Sequence, residues 1–140
     1  MDVGAGFAIE LGRVSRRWRT RLDERLKHME LTQARWMVLR HLSETGPISQ
    51  RELADRIGVE GPTLVRGLDR LEDLGLVARR ACGEDRRIKR VHLTEAAGPV
   101  LDEINRISIE LRQELLAEIP PKDVDTAWRV LKAIGDQLER

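Results

Sequence analysis

The chain is 140 residues long, the size of one domain, and is 41% apolar, 35% charged and only 3% aromatic, a balance that favours helices with broad solvated faces over a β-sandwich. No apolar run nears the roughly 20 residues that span a bilayer, no secretion signal opens the chain, and a single Cys excludes an internal disulfide framework or a CxxC metal site, so a cytoplasmic protein with no membrane partner is expected. Net charge is only +1, yet residues 79–92 carry six basic and two acidic side chains, and such placement, rather than the total, predicts electrostatic partners.

A first helix is predicted from about Phe7 to His28, because Phe7, Leu11, Val14, Trp18, Leu22 and Leu26 recur three or four residues apart. Thr32 is a suitable N-cap for a second helix, which carries Trp36, Leu39 and Leu42 and ends near Gly46-Pro47. Ser49-Gln50-Arg51-Glu52 has the form of a capping box, so a short third helix should start there, bury Leu53 and Ile57, and stop at Gly58. Pro62 fits the first turn of a fourth helix, which Gly75 ends.

From Leu76 the apolar period drops to about two, and residues 76–82 and 87–93 read as strands flanking a turn at Gly83–Arg86. Thr94 is expected to restart helix, with Val100, Ile104, Ile107, Leu111, Leu115 and Ile119 as a near-heptad stripe that Pro120-Pro121 breaks. A last helix should carry Val124, Trp128, Leu131, Ile134 and Leu138 on its inner face. So small a centre cannot cover all of these terminal stripes. The simplest solution is pairing with a second copy in a two-fold homodimer, an intrachain bundle being the alternative.

Residues 49–75 have the form of a helix-turn-helix. With Leu64, Leu68, Leu71 and Leu74 packed inward, the second helix of the pair presents Thr63, Arg66, Gly67 and Arg70 outward, behind Pro62 at its start. Such a helix suits a major groove, where Arg pairs bidentately with guanine and phosphates cap the helix end. Gly67 costs about 1 kcal/mol relative to alanine mid-helix, and serves either a close approach to DNA or relief of crowding. The hairpin that follows places Arg86 and Arg87 at or beside its tip, where arginine can enter a narrow minor groove. Asp85 beside them would orient an arginine through a charge-assisted bond. Arg79, Arg80, Lys89 and Arg90 face either phosphates or solvent. The predicted fold class is thus mainly α with a small β part (α+β): a winged helix-turn-helix over residues 31–96, between long N- and C-terminal dimerisation helices at 1–30 and 97–140.

On these residues the chain resembles the MarR family of transcriptional regulators, and within it the SlyA branch. The resemblance lies in "ELTQARWMVLRHL", in "GPTLVRGLDRLEDLGLVARRACGEDRRIKRVHLTEAA" and in the flanking helices, and runs from about Leu11 to the C-terminus. Its most specific element is the D-x-R wing with its following "LT", here Asp85, Arg87, Leu93 and Thr94. The resemblance implies a single MarR-type domain over 1–140, a homodimer, and a pseudo-palindromic operator in double-stranded DNA. It also implies that Arg66 reads bases and that the wing arginines enter the minor groove; Arg86 and Arg87, being adjacent, leave open which one inserts.

Arg16 and Arg19 share a face of the first helix, and Trp36 and Arg40 share a face of the second. If the two faces meet, they form an aromatic wall with guanidinium groups, suited to a planar aromatic carboxylate such as salicylate. The family resemblance likewise implies a phenolic or aromatic-acid effector between the dimerisation helices and the winged part, and a ligand-responsive repressor. Alternatively, Trp36 is core and the arginines pair with acidic neighbours.

No catalytic residues, cofactor or metal are expected. GxSxG, HExxH, Walker A and GxGxxG motifs are missing, and Asp69, Glu72 and Asp73 read as an exposed helix face. His28, His41 and His92 have no metal-ligand spacing with each other or with Cys82, whose role as a small strand residue outweighs redox sensing. The competing function is a winged helix that binds protein or RNA without operator specificity. That alternative gives no reason for arginines on both the second helix and the wing.

Overall fold

The computed structural model describes residues 2–83 and 85–140, with Cys82, Asp85 and Arg86 described by backbone only. Residues Met1–Ile107 form one compact unit and Ser108–Arg140 a second, the division falling inside a helix.

In the first unit, helix α1 spans Val3–Leu26, four residues longer at its start than the apolar period predicts, because the Asp2 side chain accepts a hydrogen bond from the Ala5 N–H and caps it. A single 3-10 turn at Lys27–Met29 follows and ends at Glu30, a non-glycine residue with φ +59°. Helix α2 (Gln33–Thr45) is capped by Thr32, as expected. A two-residue strand β1 (Ile48–Ser49), invisible to periodicity, precedes helix α3 (Gln50–Ile57), which the Ser49 hydroxyl caps by accepting from the Glu52 N–H. Gly58 ends α3 at φ +78°, a left-handed conformation that favours glycine, and the chain turns into α4 (Gly61–Asp73).

Strands β2 (Val77–Cys82) and β3 (Asp85–Leu93) form the predicted hairpin, and β1 joins on the far side of β3 to give the order β1-β3-β2, all antiparallel. A register shift between Ala81 and Cys82 pairs Cys82 with Asp85. Arg86 therefore belongs to a strand rather than to the turn where sequence reasoning put it. Thr94 does not start a helix either. Its hydroxyl donates to the Gly75 carbonyl at 2.6 Å and its N–H to the Leu76 carbonyl at 3.1 Å, so it closes the base of the hairpin, and helix α5 begins at Ala97.

The core of this unit is mostly leucine. Leu26, Leu39, Leu53, Leu68 and Leu71 are fully buried among α1 to α4, and Val77 and Val91 seal them from the sheet side. Ile57 and Leu74, expected inside, are half-buried. Of the α1 stripe only Leu22 and Leu26 are buried, whereas Phe7, Leu11 and Val14 are exposed.

Helix α5 (Ala97–Leu116) passes from the first unit into the second and stops before Ile119, which is exposed and not helical. Pro120 and Pro121 open helix α6 (Pro121–Leu138). The expected inner face of α6 is not inner within the single chain: Trp128 is 59% exposed, and Leu131 and Leu138 are exposed with it. Lys132 Nζ lies 4.1 Å from the centre of the Trp128 ring. No helix is long and apolar enough to cross a membrane among the described residues.

Candidate nucleic-acid interface and effector cavity

The outer side of α4 is built by its leucines. Leu64, Leu68 and Leu71 turn into the core, which leaves Pro62, Thr63 and Arg66 exposed and Arg70 half-buried. The helix start differs from those before it. Asp2, Thr32 and Ser49 lend side-chain acceptors to the first turns of α1, α2 and α3, whereas Glu60 caps α4 with no side-chain hydrogen bond. Among the described residues the start of α4 thus has no side-chain cap, and an uncapped helix start is a place where an anion can bind. Among the described residues Arg66 donates to the Thr63 hydroxyl, at 3.5 Å. Arg70, one turn on, donates from Nη2 to Glu30 Oε1 at 3.1 Å. A Cβ placed on Gly67 would meet nothing within 4 Å, so crowding inside this chain does not account for the glycine.

In the hairpin, Arg80 and residues 87–90 are all exposed, so both faces of the outer half of β3 stand clear of the core. The backbone carries Arg86 and Arg87 along β3 next to the turn. The side-chain roles expected for Asp85, Arg86 and Cys82 lie outside the described residues. Arg79 is not among the outward cations. Its Nε and main-chain N–H both donate to Glu72 Oε1 at 3.0 Å, its Nη2 reaches Glu72 Oε2 at 2.8 Å and Asp69 Oδ1 at 2.5 Å, and its Nη1 reaches Gln50 Oε1 at 3.4 Å. The guanidinium holds the Glu72 carboxyl below the usual carboxylate range, and Glu72 and Asp69 raise the arginine in turn. Asp69 and Asp73 do lie on the exposed helix face expected of them, whereas Glu72 is half-buried, and both Asp69 and Glu72 pair with Arg79. The pairing escapes helical periodicity because it joins the end of one helix to a strand beyond a turn.

A second feature lies between α1 and α2. An open cavity of about 380 Å³ is lined by Trp18, Arg19, Leu22, Trp36, Met37, Arg40, His41 and Glu44. Three of the four residues expected to hold an aromatic acid, Arg19, Trp36 and Arg40, thus meet in one place. Arg16 does not join them. It lines a separate shallow depression with Arg17, Thr20, Arg21 and Glu24, and its Nη1 lies back over Gly12. Three residues of helix turn its direction about 60° away from that of Arg19. Trp36 is 5% exposed, and its indole Nε1 is buried with no hydrogen-bond partner. Arg40 is exposed and lies 3.8 Å from Glu44. Trp18, Leu22, Met37, His41 and Glu44 were not anticipated at this site, although Leu22 follows Arg19 by three residues and Glu44 follows Arg40 by four. No group of three or more His, Cys, Asp or Glu able to hold a metal occurs among the described residues.

A helix pair joined by a tight turn at Gly58, an outward second helix and a basic hairpin in a three-stranded sheet define a winged helix-turn-helix protein. Residues 30–88 match the model of the MarR family. The transcriptional regulator PA3341 is 45% identical, with a TM-score of 0.84 over 95% of this chain and 98% of that one. Wild-type MarR from E. coli in its apo form is 26% identical, with a TM-score of 0.82 over 96% of both chains. BldR from Sulfolobus solfataricus is 28% identical, with a TM-score of 0.81 over 98% of this chain and 99% of that one. The chain belongs to the MarR family of transcriptional regulators, whose members bind DNA and act as dimers.

Proposed function

We propose that this chain is a ligand-responsive repressor of the SlyA type, working in the cytoplasm, which grips a pseudo-palindromic operator as a homodimer. The observation that carries the reading is the outward face of α4, where exposed Thr63 and Arg66 follow a helix start without a side-chain acceptor, beside a wing that exposes Arg80, Arg87, Lys89 and Arg90. In this reading residues 31–96 contact DNA, with Pro62, Thr63, Arg66 and Arg70 toward the major groove and Asp85, Arg86 and Arg87 toward the minor groove. Residues 1–30 and 97–140 pair with the second copy. The exposed apolar residues Phe7, Leu11 and Val14 on α1, and Trp128, Leu131 and Leu138 on α6, support that assignment.

The effector in this reading is an aromatic carboxylate in the α1–α2 cavity, facing Arg19 and Arg40, with an acceptor for the unpartnered Trp36 Nε1. Ligand binding lowers DNA affinity by favouring a half-site spacing that does not fit the operator.

The test is a gel shift on duplex DNA from upstream of the chain's own gene. A dimer neutralising roughly 6–10 phosphates should lose about 10³–10⁵ in affinity between about 50 and 200 mM salt. Equal binding to RNA, or none to any upstream duplex, overturns the reading. Replacing Arg86 and Arg87 together by alanine should abolish tight operator binding and leave the dimer intact.

A further inference from the structure

Arg66 and Arg70 lie one turn apart on α4, yet their surroundings differ. Among the described residues Arg66 has no carboxylate partner, whereas Arg70 donates to Glu30, forty residues earlier in the chain, at 3.1 Å. The backbone at Glu30 is tied on both sides. Its N–H donates to the Lys27 carbonyl at 3.0 Å, and its own carbonyl accepts from Arg35 Nη1 at 3.1 Å. Its backbone is held at φ +59°, a region that residues with a side chain seldom occupy. The backbone of the α1–α2 connection is thus held at Glu30, whose carboxylate reaches α4.

We propose that Glu30 is an internal competitor of DNA phosphate for Arg70. This rests on the DNA-binding reading above and adds a restraint to it. In the free protein the carboxylate occupies the cation; on the duplex a phosphate oxygen takes its place, and Glu30 returns to water. Both side chains are partly exposed, at 39% for Arg70 and 61% for Glu30, so the exchange needs no unfolding. An exposed pair of this kind is weak and screened by salt, which makes it displaceable while still setting how tightly the helix grips. The connection that carries Glu30 joins the two helices that line the cavity, so the restraint is anchored outside the DNA-contacting part.

The experiment is a double-mutant cycle read by fluorescence anisotropy on operator and random duplex at low salt. Glu30→Gln should tighten binding to both by roughly two- to fivefold per half-site, the range set by an exposed ion pair. Glu30→Asp, too short to reach Arg70, should act in the same direction, and thermal melts confirm that both variants fold. In an Arg70→Ala background, Glu30→Gln should change nothing. The proposal is overturned if Glu30→Gln weakens binding, which would make the acid a positioning residue, or if it tightens binding equally without Arg70, which would make the effect one of general charge. A wild-type chain that binds no duplex fails at the first titration, before any variant is compared, and overturns the DNA reading itself.

Discussion

Arg80 of β2 stands directly opposite Arg90 of β3, and both are exposed. Like charges facing each other across a ladder destabilise the strand pair by a few tenths of a kcal/mol or more. Among the described residues neither has a carboxylate within ion-pair reach, so an anion lying against the pair would relieve the repulsion. We expect Arg80→Gln to raise the melting temperature of the free protein slightly and to weaken duplex binding. The slope of log affinity against log salt should become shallower by about 0.9 for each phosphate left without its cation. A lowered melting temperature with an unchanged slope would assign the pair to structure instead.

Arg79 gives the opposite pattern. Its guanidinium is spent on Glu72, Asp69 and Gln50, and its side chain is 18% exposed. Arg79→Ala should cost roughly 1.5–3 kcal/mol, the value of charge-assisted hydrogen bonds, and reduce operator affinity with no change in salt slope. Glu72 is depressed by Arg79, so its contribution to stability is complete above the ordinary glutamate value of 4.5 and is lost as the pH falls below that value. The stability gap between the wild-type chain and Glu72→Gln, measured by chemical denaturation, should therefore be constant near neutrality and narrow in acid. A gap that widens in acid would refute the assignment.

The elements that one helix or one hairpin determines by itself were legible in the sequence. Thr32, Ser49 and Gly58 mark helix ends through their own chemistry, and the leucine spacing of α4 fixes which side faces out. What escaped depends on partners distant in sequence. β1 is two residues long and exists because β3 offers Val91 and Arg90 to pair with. Arg79 and Arg80 are adjacent and identical, so only the strand alternation against α4 separates the inward one from the outward one. The cavity was half legible: spacing put Trp36 and Arg40 on one face of α2, but it could not say that this face meets Arg19 or that Arg16 lies back toward Gly12.

Gly67 sits in the middle of α4 with open space where a Cβ would stand. Gly67→Ala should stabilise the free protein by about 0.8–1.0 kcal/mol through helix propensity, and at the same time weaken operator binding if a duplex approaches that side closely. Denaturation and anisotropy measured on the same preparation separate the two effects. Stabilisation with unchanged affinity would show that the glycine has no role at the DNA.

Replacing Arg66 by alanine removes the exposed cation nearest the start of α4. Operator affinity should fall by roughly 1–3 kcal/mol, and discrimination at one base position should relax. An equal loss on random duplex would mean that Arg66 contacts phosphate rather than base.

The cavity is testable through its own chromophores. Trp18 and Trp36 both line it, so a salicylate-type acid at millimolar concentration should quench tryptophan fluorescence and release the operator. Arg19→Gln should weaken both responses in parallel, while Arg16→Gln, in the separate depression, should leave them as they are. Quenching that depends on Arg16 and not on Arg19 would place the acid elsewhere.

The hairpin leaves and rejoins the body at nearly one point, since Thr94 binds the carbonyls of both Gly75 and Leu76. Everything between is a closed excursion whose exit and return are tied independently of its length. Residues can be added or removed near Gly83 without redirecting α4 or α5, because loop length enters stability only logarithmically. The reach of the wing is thus an adjustable dimension of the molecule. Selection can lengthen or shorten it while the rest of the fold stays unaltered.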